Sequence, residues 1–535
     1  TIDERQELSS LNNLDFNNFY RNKINEEQLD AFILHYGENE LHIRTKIMHA
    51  TSKTPVTIKS KLSNQEMYSI TAAYGETGGF YLSKEWEREY PHGNTLRTFL
   101  GKTDSIPEED LDYHISKGYS INDEVGVSYL EKELELILHS QPNKIKFYFD
   151  EYGNIVGEEI NQVGKAGSDV KLTIDIEIQK IVDRELAKYL KDNEYQYNIN
   201  AFTTITNPNN GDIIALGGQT ELDDNYYDYS IGNFTQAYEV GSVVKPAVLL
   251  AAYDLDVRQW GDILVDEPLH IKGTPIKKSF VTMGPIDETE AIARSSNVYF
   301  YKTLLHIAGE EYVEDQPLNI EYKYFELVRN YYTQFGLGVE TGIGMENEHI
   351  GFKGSGSDPG LYLDLANGQY DTYTNLQMNQ FIATIGNDGS RYKLKYIDSI
   401  HQSKIGTESG NVQKEEPSII LNQLTMDIKD IKHTKDAMAQ CATYSGGTCR
   451  GKGFESLDVE FGGKSGTAES FYWDNEDKKL LLTNSTSFIG YFPAVDPKYA
   501  ISTIVPNFTS AGDLNGVEDA VNLAAAIMKK IYKEE

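Results

Sequence analysis

Three short motifs beyond residue 240 of this 535-residue chain carry side chains suited to serine-dependent acyl transfer. They are Ser242-Val243-Val244-Lys245, Ser295-Ser296-Asn297 and Lys464-Ser465-Gly466. A serine hydroxyl is a weak nucleophile at neutral pH and needs a base, and a lysine can be that base only if burial or a neighbouring cation lowers its pKa. The motifs fit the S-x-x-K, S-x-N and K-[S/T]-G patterns of serine acyl-transferases. They predict that Ser242 is a nucleophile and that Lys245 is its base.

The other two motifs supply the remaining chemical groups of such a site. Lys464 would be the neighbouring cation that lowers the pKa of Lys245. Ser295 would relay a proton to the leaving amine. Asn297 would hold both Lys245 and the substrate amide.

The residues that follow Lys464 would bind the substrate. Gly466 would let a substrate backbone approach closely, and the hydroxyls of Ser465 and Thr467 would grip a substrate carboxylate. The backbone N–H groups of Ser242 and Thr467 would form an oxyanion hole, in which one donor is typically worth about 10²–10³ in rate.

Each motif taken alone has low specificity, because a Ser and a Lys one turn apart are usually just a helix start, and Lys-Ser-Gly is often a strand end. The sequence contains further matches to the first two patterns: Ser168-Asp169-Val170-Lys171, Ser10-Leu11-Asn12, Ser120-Ile121-Asn122 and Ser409-Gly410-Asn411. Context selects Ser242, because a glycine precedes it and the apolar stretch 247–252 follows it. That stretch predicts a buried helix that opens at Ser242, with both side chains of the motif on one face.

The elements that must position these motifs read as strands at both ends of a mostly helical segment. Apolar patterns and turn residues predict a strand pair and a strand trio, at 201–206, 212–216, 459–470, 485–491 and 500–505. Helical patterns cover 176–190 and the amphipathic C-terminal stretch 517–531. The pattern predicts an α+β fold with one antiparallel sheet of five strands and helices packed on it.

Composition excludes several classes of protein. The chain is 39% hydrophobic, which supports a substantial core and argues against disorder. Its net charge of −33 makes a nucleic-acid partner a poor hypothesis. No apolar run reaches the roughly 18 residues of a membrane span. Because the chain opens at Thr1 and not at Met, we expect that an upstream segment has been removed.

Two cysteines, Cys441 and Cys449, are too few to indicate a redox compartment. They are consistent with reduced thiols, with a disulfide, or with two ligands of a structural zinc ion completed by a histidine such as His433 or by a carboxylate.

Longer segments around the motifs resemble the class B, monofunctional transpeptidases among the penicillin-binding proteins. The segment Tyr238–Pro246 is similar to the nucleophile segment of that family, and Thr173–Gln179 to the opening of its catalytic domain. Further similar segments are Phe335–Gly338, Thr341–Ile343, Asn367–Gln369, Thr374–Gln377 and Ser487–Pro493. Arg88–Gly93 and Gly126–Glu131 resemble motifs of the N-terminal pedestal domain, and favour the elongation-type branch of Gram-positive bacteria.

The resemblance implies a penicillin-binding fold, with a five-stranded antiparallel sheet between helices, on an elongated non-catalytic pedestal. It implies a pedestal at 1–168 and a transpeptidase domain at 169–535. The implied substrate is a peptidoglycan stem peptide ending in D-Ala-D-Ala, which Ser242 would attack to form an acyl-enzyme that a neighbouring strand's amine resolves. β-Lactams would acylate the same serine, and the chemistry would need no cofactor.

The resemblance also implies a partner and a location. A membrane glycosyltransferase of the elongation machinery would polymerise the glycan, and the enzyme would support cell shape from the outer face of the bacterial membrane. The single N-terminal anchor of the class is missing from this chain. Alternative functions for the same motifs are a serine β-lactamase, a D,D-carboxypeptidase, and a non-catalytic β-lactam sensor or scaffold.

Overall fold

The computed structural model describes residues 34, 37–49, 56–74, 88–121, 123–141, 143–150, 155–193, 197–223, 225–404, 409–474, 478–510 and 518–534. The chain divides into two compact units, residues 1–88 and 89–535. In the first unit the described residues form the helices Glu38–His49 and Asn64–Tyr74.

The second unit begins with a set of short elements. Its helices are Arg97–Leu100, Leu111–Ser116 and Tyr129–Leu138, with a 3₁₀ turn at Glu108–Asp110. Its antiparallel strand pairs are Thr103–Ser105 with Glu124–Gly126, and Lys144–Phe149 with Ile155–Gln162. Phe99 and Leu130 pack in one hydrophobic cluster with Leu216 and Leu376. The predicted domain boundary after residue 168 lies within this second unit, and it stays a prediction.

One antiparallel sheet of six strands forms the centre of the second unit. Its strands are β1 Asn200–Thr206, β2 Ile213–Leu222, β3 Asn225–Asp228, β4 Gly462–Asp474, β5 Lys479–Phe492 and β6 Tyr499–Ser510. The strand order is β4-β5-β6-β1-β2-β3. The predicted pair and trio are therefore joined where β6 pairs with β1, from Ala500↔Thr206 to Ile504↔Phe202.

The sheet has one strand more than the five predicted. The sixth, β3, is only four residues long, and its sequence Asn-Tyr-Tyr-Asp shows no apolar alternation. It forms because β2 offers it a pairing edge from Gln219 to Leu222, which is a tertiary effect and not a local pattern.

Seven longer helices surround the sheet. They are α1 Ile176–Asp192, α2 Lys245–Asp254, α3 Asn297–Ile307, α4 Tyr322–Phe335, α5 Asn375–Gly386, α6 Ile428–Thr443 and α7 Asp519–Glu534. Shorter helices lie at Gly232–Thr235, Glu288–Ala293 and Pro359–Leu365. Within the described ranges, none of the helices combines the length and the apolar character that a bilayer crossing requires. Residue 517, where the predicted C-terminal helix starts, lies outside the described residues.

Helices cover both faces of the sheet, as the resemblance predicts. Alternate residues of β1 point to opposite faces, so Ala201 and Ile205 pack with α1 and α7, whereas Phe202 packs with the helical middle of the chain. Helix α2 is buried on nearly its whole circumference, from Lys245 to Tyr253. Its all-round apolar sequence 247–252 is what such a central helix requires.

Short strand pairs complete the architecture around the helical middle. They are Ala237–Tyr238 with Tyr373–Thr374, Leu264–Asp266 with Gly284–Ile286, and Ser390–Tyr392 with Ile420–Gln423. A three-stranded sheet joins Ser168–Leu172, Ile397–Gln402 and Val412–Glu415.

Candidate active site

Ser242 lies in a 3₁₀ turn, Gly241–Val244, that leads directly into α2. The prediction that Ser242 itself opens the α-helix is off by one turn, because the α-helix begins at Lys245. The side chains at i and i+3 of a 3₁₀ turn lie on the same side, so Ser242 and Lys245 still share a face. Ser242 is 9% exposed.

Glycines allow the Ser242 turn to pack closely between two other segments. A Cβ on Gly241 would lie 2.6–2.7 Å from the backbone of Thr467 in β4. On the other side, Gly241 N donates a hydrogen bond to Gly368 O at 3.1 Å, and a Cβ on Gly368 would lie 2.3 Å from Gly241 O. The Asn367–Gln369 segment, for which the sequence suggested no role, therefore supports the Ser242 turn from below.

Gly466 provides the second close approach between β4 and this turn. A Cβ on Gly466 would lie 2.5 Å from Val240 O and 2.3 Å from Ser487 Oγ. Ser487 Oγ donates a hydrogen bond to Val240 O at 2.5 Å, which ties the turn to β5. The space that a side chain at 466 would fill is thus taken by the protein itself, whereas the predicted role of Gly466, access for a substrate backbone, stays a prediction.

The amine of Lys245 is fully buried and contacts the second motif. Its Nζ donates to Ser295 O at 2.9 Å, to Ser295 Oγ at 3.2 Å and to Asn297 Oδ1 at 2.7 Å. These three bonds use all three donors of an ammonium group, and none of them goes to Ser242 Oγ. Burial lowers the pKa of Lys245 well below its usual value, and the charge of Lys464 lowers it further, whereas Asp266 opposes the shift.

The amine of Lys464 contacts the same serine from the sheet. Its Nζ donates to Ser295 Oγ and to Ser465 O, both at 2.8 Å. Lys464 is also fully buried, and burial lowers its pKa to about 7. The structure thus brings together the lysines of the first and third motifs on one hydroxyl of the second.

Ser295 has an unusual backbone conformation at the point where the two amines meet. Its φ is 61°, in the left-handed region that costs a non-glycine residue on the order of 1–3 kcal/mol. Its Oγ accepts from Lys245 and from Lys464, and these two bonds occupy both acceptor positions of the hydroxyl. The Ser295 proton is therefore directed away from both amines.

Asn297 is held by groups that the sequence motifs do not contain. Its side-chain Nδ2 donates to Lys278 O at 3.1 Å, and its backbone N–H donates to Ser279 Oγ at 2.8 Å. Sequence reasoning missed Ser279, because no spacing pattern links it to the S-x-N motif. Only the packing of the 277–280 segment against the start of α3 reveals it.

Ser465 and Thr467 occupy positions on β4 that are less buried than those of their neighbours. Ser465 is half-buried and Thr467 is exposed, whereas Lys464 and Gly466 between them are buried. In the order of the six-stranded sheet β4 is a terminal strand, paired with β5 alone. An edge strand of this kind presents backbone groups on its outer side, where an extended ligand can bind.

Cys441 and Cys449 form a disulfide bond. Both are fully buried, and Cys441 belongs to α6. The zinc hypothesis is not supported, because the two sulfur atoms are bonded to each other and His433 Nε2 lies 2.7 Å from Glu288 Oε1. In the described part of the chain, no group of three or more His, Cys, Asp or Glu residues could hold a metal ion.

The competing motif matches lie elsewhere. Ser168 and Lys171 belong to the strand Ser168–Leu172, where successive side chains alternate between faces. Ser409-Gly410-Asn411 precedes the strand Val412–Glu415. The triplet at 10–12 and residue 122 of the triplet at 120–122 lie outside the described residues.

Comparison with known proteins assigns the chain to a family. Residues 201–533 match the family model "Penicillin binding protein transpeptidase domain", and residues 7–172 match "Penicillin-binding Protein dimerisation domain". Penicillin-binding protein 2A of Bacillus subtilis is 36% identical over 486 residues, which cover 87% of this chain and 67% of that protein. Penicillin-binding protein H of the same organism is 34% identical over 89% of this chain and 68% of its own length.

Solved structures agree with this assignment. Penicillin-binding protein 2B from Streptococcus pneumoniae strain R6 is similar with a TM-score of 0.78 at 25% identity, covering 99% of this chain and 87% of that one. The same protein from strain 5204 has a TM-score of 0.78 at 23% identity, with the same coverage. The chain belongs to the class B penicillin-binding proteins, which join a dimerisation domain to a transpeptidase domain.

Proposed function

We propose that this protein is a peptidoglycan D,D-transpeptidase with Ser242 as its nucleophile. The observation that supports this most directly is the hydroxyl of Ser295, which accepts hydrogen bonds from two buried lysines of lowered pKa beside the Ser242 turn. A lysine kept neutral by burial is the base that a serine nucleophile needs.

The acylation step follows from these positions. Neutral Lys245 has two N–H donors and one lone pair, and Ser295 and Asn297 can engage the two donors. The lone pair then takes the proton of Ser242 as its Oγ attacks the carbonyl carbon of the penultimate D-Ala. An ester bond forms to Oγ, and the peptide C–N bond breaks when the leaving amine receives a proton, which Ser295 passes on and Lys245 replaces.

Backbone donors would stabilise the charge that develops on the carbonyl oxygen. The close approach of Gly241 to Thr467 supports an oxyanion hole built from the N–H groups of Ser242 and Thr467. The substrate would extend along β4, with its terminal carboxylate near the hydroxyls of Ser465 and Thr467.

The fate of the ester distinguishes the possible activities. In a transpeptidase an amine of a neighbouring stem peptide attacks the ester and forms the cross-link, with Ser242 regaining its proton. In a D,D-carboxypeptidase water is the acceptor. A serine β-lactamase hydrolyses its acyl-enzyme rapidly, and a β-lactam sensor or scaffold performs no turnover.

The remaining assignments belong to the same proposal. Residues 1–168 would be the pedestal and 169–535 the catalytic domain. Stem peptides would be the substrate and β-lactams the inhibitors, and a membrane glycosyltransferase would supply the glycan strands. The enzyme would act at the outer face of the bacterial membrane, in the elongation branch of wall synthesis.

Intact-mass spectrometry after penicillin treatment tests this function. We expect one covalent adduct, which peptide mapping locates on Ser242 and which Ser242→Ala abolishes. Ser168→Ala, at the competing S-x-x-K match, is the control and should keep the adduct. An adduct that survives Ser242→Ala would contradict the assignment, and sustained nitrocefin hydrolysis would favour the β-lactamase alternative.

A further inference from the structure

A buried carboxylate lies behind the second motif. Asp266 is the last residue of the strand Leu264–Asp266 and is only 1% exposed. Its Oδ2 accepts hydrogen bonds from Ser279 Oγ and Ser296 Oγ, both at 2.5 Å. Asp266 therefore joins the middle residue of the S-x-N motif to a serine outside it.

Both serine oxygens also accept the first backbone N–H groups of α3. Ser279 Oγ accepts from Asn297 N at 2.8 Å and from Val298 N at 3.2 Å, and Ser296 Oγ accepts from Tyr299 N at 3.0 Å. These N–H groups have no partner within the helix, so the serines satisfy them. The partial positive charge of the helix start also favours a carboxylate at this place.

The network continues to the amine of the candidate base. The backbone N–H of Asn297 is held by Ser279, and its Oδ1 accepts from Lys245 Nζ at 2.7 Å. The segment that carries Ser279 also fixes the other end of the same amide, because Asn297 Nδ2 donates to Lys278 O. The path from the carboxylate to the amine thus runs through hydroxyl, backbone amide and side-chain amide without a gap.

The second oxygen of the carboxylate sets this group apart from an ordinary helix cap. Among the described residues, Asp266 Oδ1 is buried and has no hydrogen-bond partner. Its charge is therefore only partly compensated by hydrogen bonds. It acts through space on Lys245, whose pKa it raises against burial and the charge of Lys464.

We propose that Asp266 is a positioning residue for the acyl-transfer reaction, which holds Asn297 against Lys245 through Ser279 and Ser296. This inference rests on the proposed function. It gives the middle serine of the S-x-N motif a specific task in this chain, and it adds Ser279 to the set of residues on which the geometry of the base depends.

Asp266→Asn tests the role, with the rate constant of acylation by a fluorescent penicillin measured against pH. An amide oxygen can still accept from a serine hydroxyl, but the carboxylate charge is lost. We expect acylation to slow by about 10²-fold, because a shift of about 1 Å in a positioned group can cost that much. We also expect the ascending limb of the pH profile to move to lower pH, because Lys245 loses a neighbouring negative charge.

The pH readout separates this role from a merely structural one. The charged groups that act on Lys245 are Lys464 and Asp266, and Asp266 itself also acts on Lys302, beside which Glu267 lies. Ser279→Ala removes one hydrogen-bonded link and keeps the charge, so it should slow acylation without moving the pH limb. The double variant should lose less than the product of the two single losses, because both changes break one path.

Asp430→Asn is the matched control. Asp430 is another buried carboxylate, bonded by Trp260 Nε1 at 2.9 Å, and its contacts do not reach Lys245. It should acylate at the wild-type rate. A wild-type rate and profile in both Asp266→Asn and Ser279→Ala would overturn the proposal.

Two further outcomes are kept distinct. If Asp266→Asn does not fold, Ser279→Ala and Ser296→Ala decide, since slow acylation in folded protein supports the role and wild-type acylation refutes it. If the wild-type protein itself forms no adduct on Ser242, the proposed function has failed, and the positioning role falls with it.

Discussion

Lys464 Nζ donates a 2.8 Å hydrogen bond to Ser295 Oγ, although the two residues are 169 positions apart in the sequence. The bond joins the sheet to the loop between two helices of the chain's middle. Because Lys245 donates to the same oxygen, the protonation of each amine influences that of the other. Burial of both amines makes that influence strong, since buried charges are weakly screened.

Removing Lys464 should move the pH dependence of acylation. In Lys464→Met the pKa of Lys245 rises, because one of the causes that lower it is the charge of Lys464. A base with a higher pKa is neutral only at higher pH, so the ascending limb should shift to higher pH. The rate at pH 7 should fall by about 10²–10⁴, the range for loss of acid–base function.

Lys395→Met is the control for this change. Lys395 is also largely buried, and it pairs with Asp212 at 3.1 Å on another part of the domain. It should leave the pH limb in place. An unshifted limb in Lys464→Met, measured by penicillin acylation across pH 5–9, would show that Lys464 does not control the base.

The support beneath the Ser242 turn can be tested with a pair of glycines. Gly368→Ala places a Cβ 2.3 Å from Gly241 O, at a φ of +61°. Gly309→Ala has a similar φ of +71° but no atom within 4 Å of the new Cβ. Both pay the left-handed backbone cost of about 1–2 kcal/mol, so the difference between them isolates the clash.

We expect Gly309→Ala to lower the unfolding midpoint slightly and to acylate normally. Gly368→Ala should lower the midpoint further and slow acylation at least tenfold, because the nucleophile turn must move. Thermal unfolding and the acylation rate constant measure the two effects. Equal behaviour of the two variants would mean that the turn does not depend on this contact.

The disulfide should stabilise the catalytic domain. Cys441 and Cys449 are 8 positions apart, and closing a loop of this size typically contributes about 2–3 kcal/mol to the free energy of unfolding. The loop also packs near the second motif, since Thr448 N donates to Ala293 O at 3.0 Å. Cys441→Ala with Cys449→Ala should therefore lower the unfolding midpoint in denaturant.

Thiol labelling of the native protein provides the check on the disulfide itself. Alkylation should modify neither cysteine in unfolded protein until a reductant is added. Labelling without reductant, or a double variant with unchanged stability, would contradict this prediction.

Asp183 should make stability depend on pH. Burial raises the pKa of Asp183 to about 7, a Gln179 hydrogen bond opposes the shift, and Asp228 adds to it. The folded state therefore holds a proton that the unfolded state has lost between about pH 4 and 7, so this carboxyl makes the protein less stable as pH rises through that window.

Asp183→Asn keeps the neutral form at every pH. Its stability relative to wild type should grow from pH 4 to about pH 7 and stay constant above, as measured by urea unfolding. Asp192→Asn, at the exposed end of the same helix, should show no such trend. A flat difference for Asp183→Asn would remove the proposed titration.

Local patterns in the sequence predicted much of the fold. Five of the six strands and the helices α1 and α7 follow from apolar periodicity and turn residues, because each buries one face and its sequence records that burial. Strand β3 was missed, because it forms by pairing with β2 and has no pattern of its own. The state of Cys441 and Cys449 was left open, because the proximity of two sulfur atoms is not encoded by their spacing alone.

The sequence by itself determined which chemistry was available, since residue types and their order identified Ser242, Lys245, Ser295, Asn297 and Lys464 as candidates. Only the tertiary structure decided how these groups meet. The shared contact of two amines with Ser295 Oγ, the packing of Gly241 against Gly368 and β4, and the carboxylate of Asp266 behind α3 all join residues distant along the chain. Such contacts depend on long-range packing, and hydrophobic periodicity carries information only about the face that each element buries.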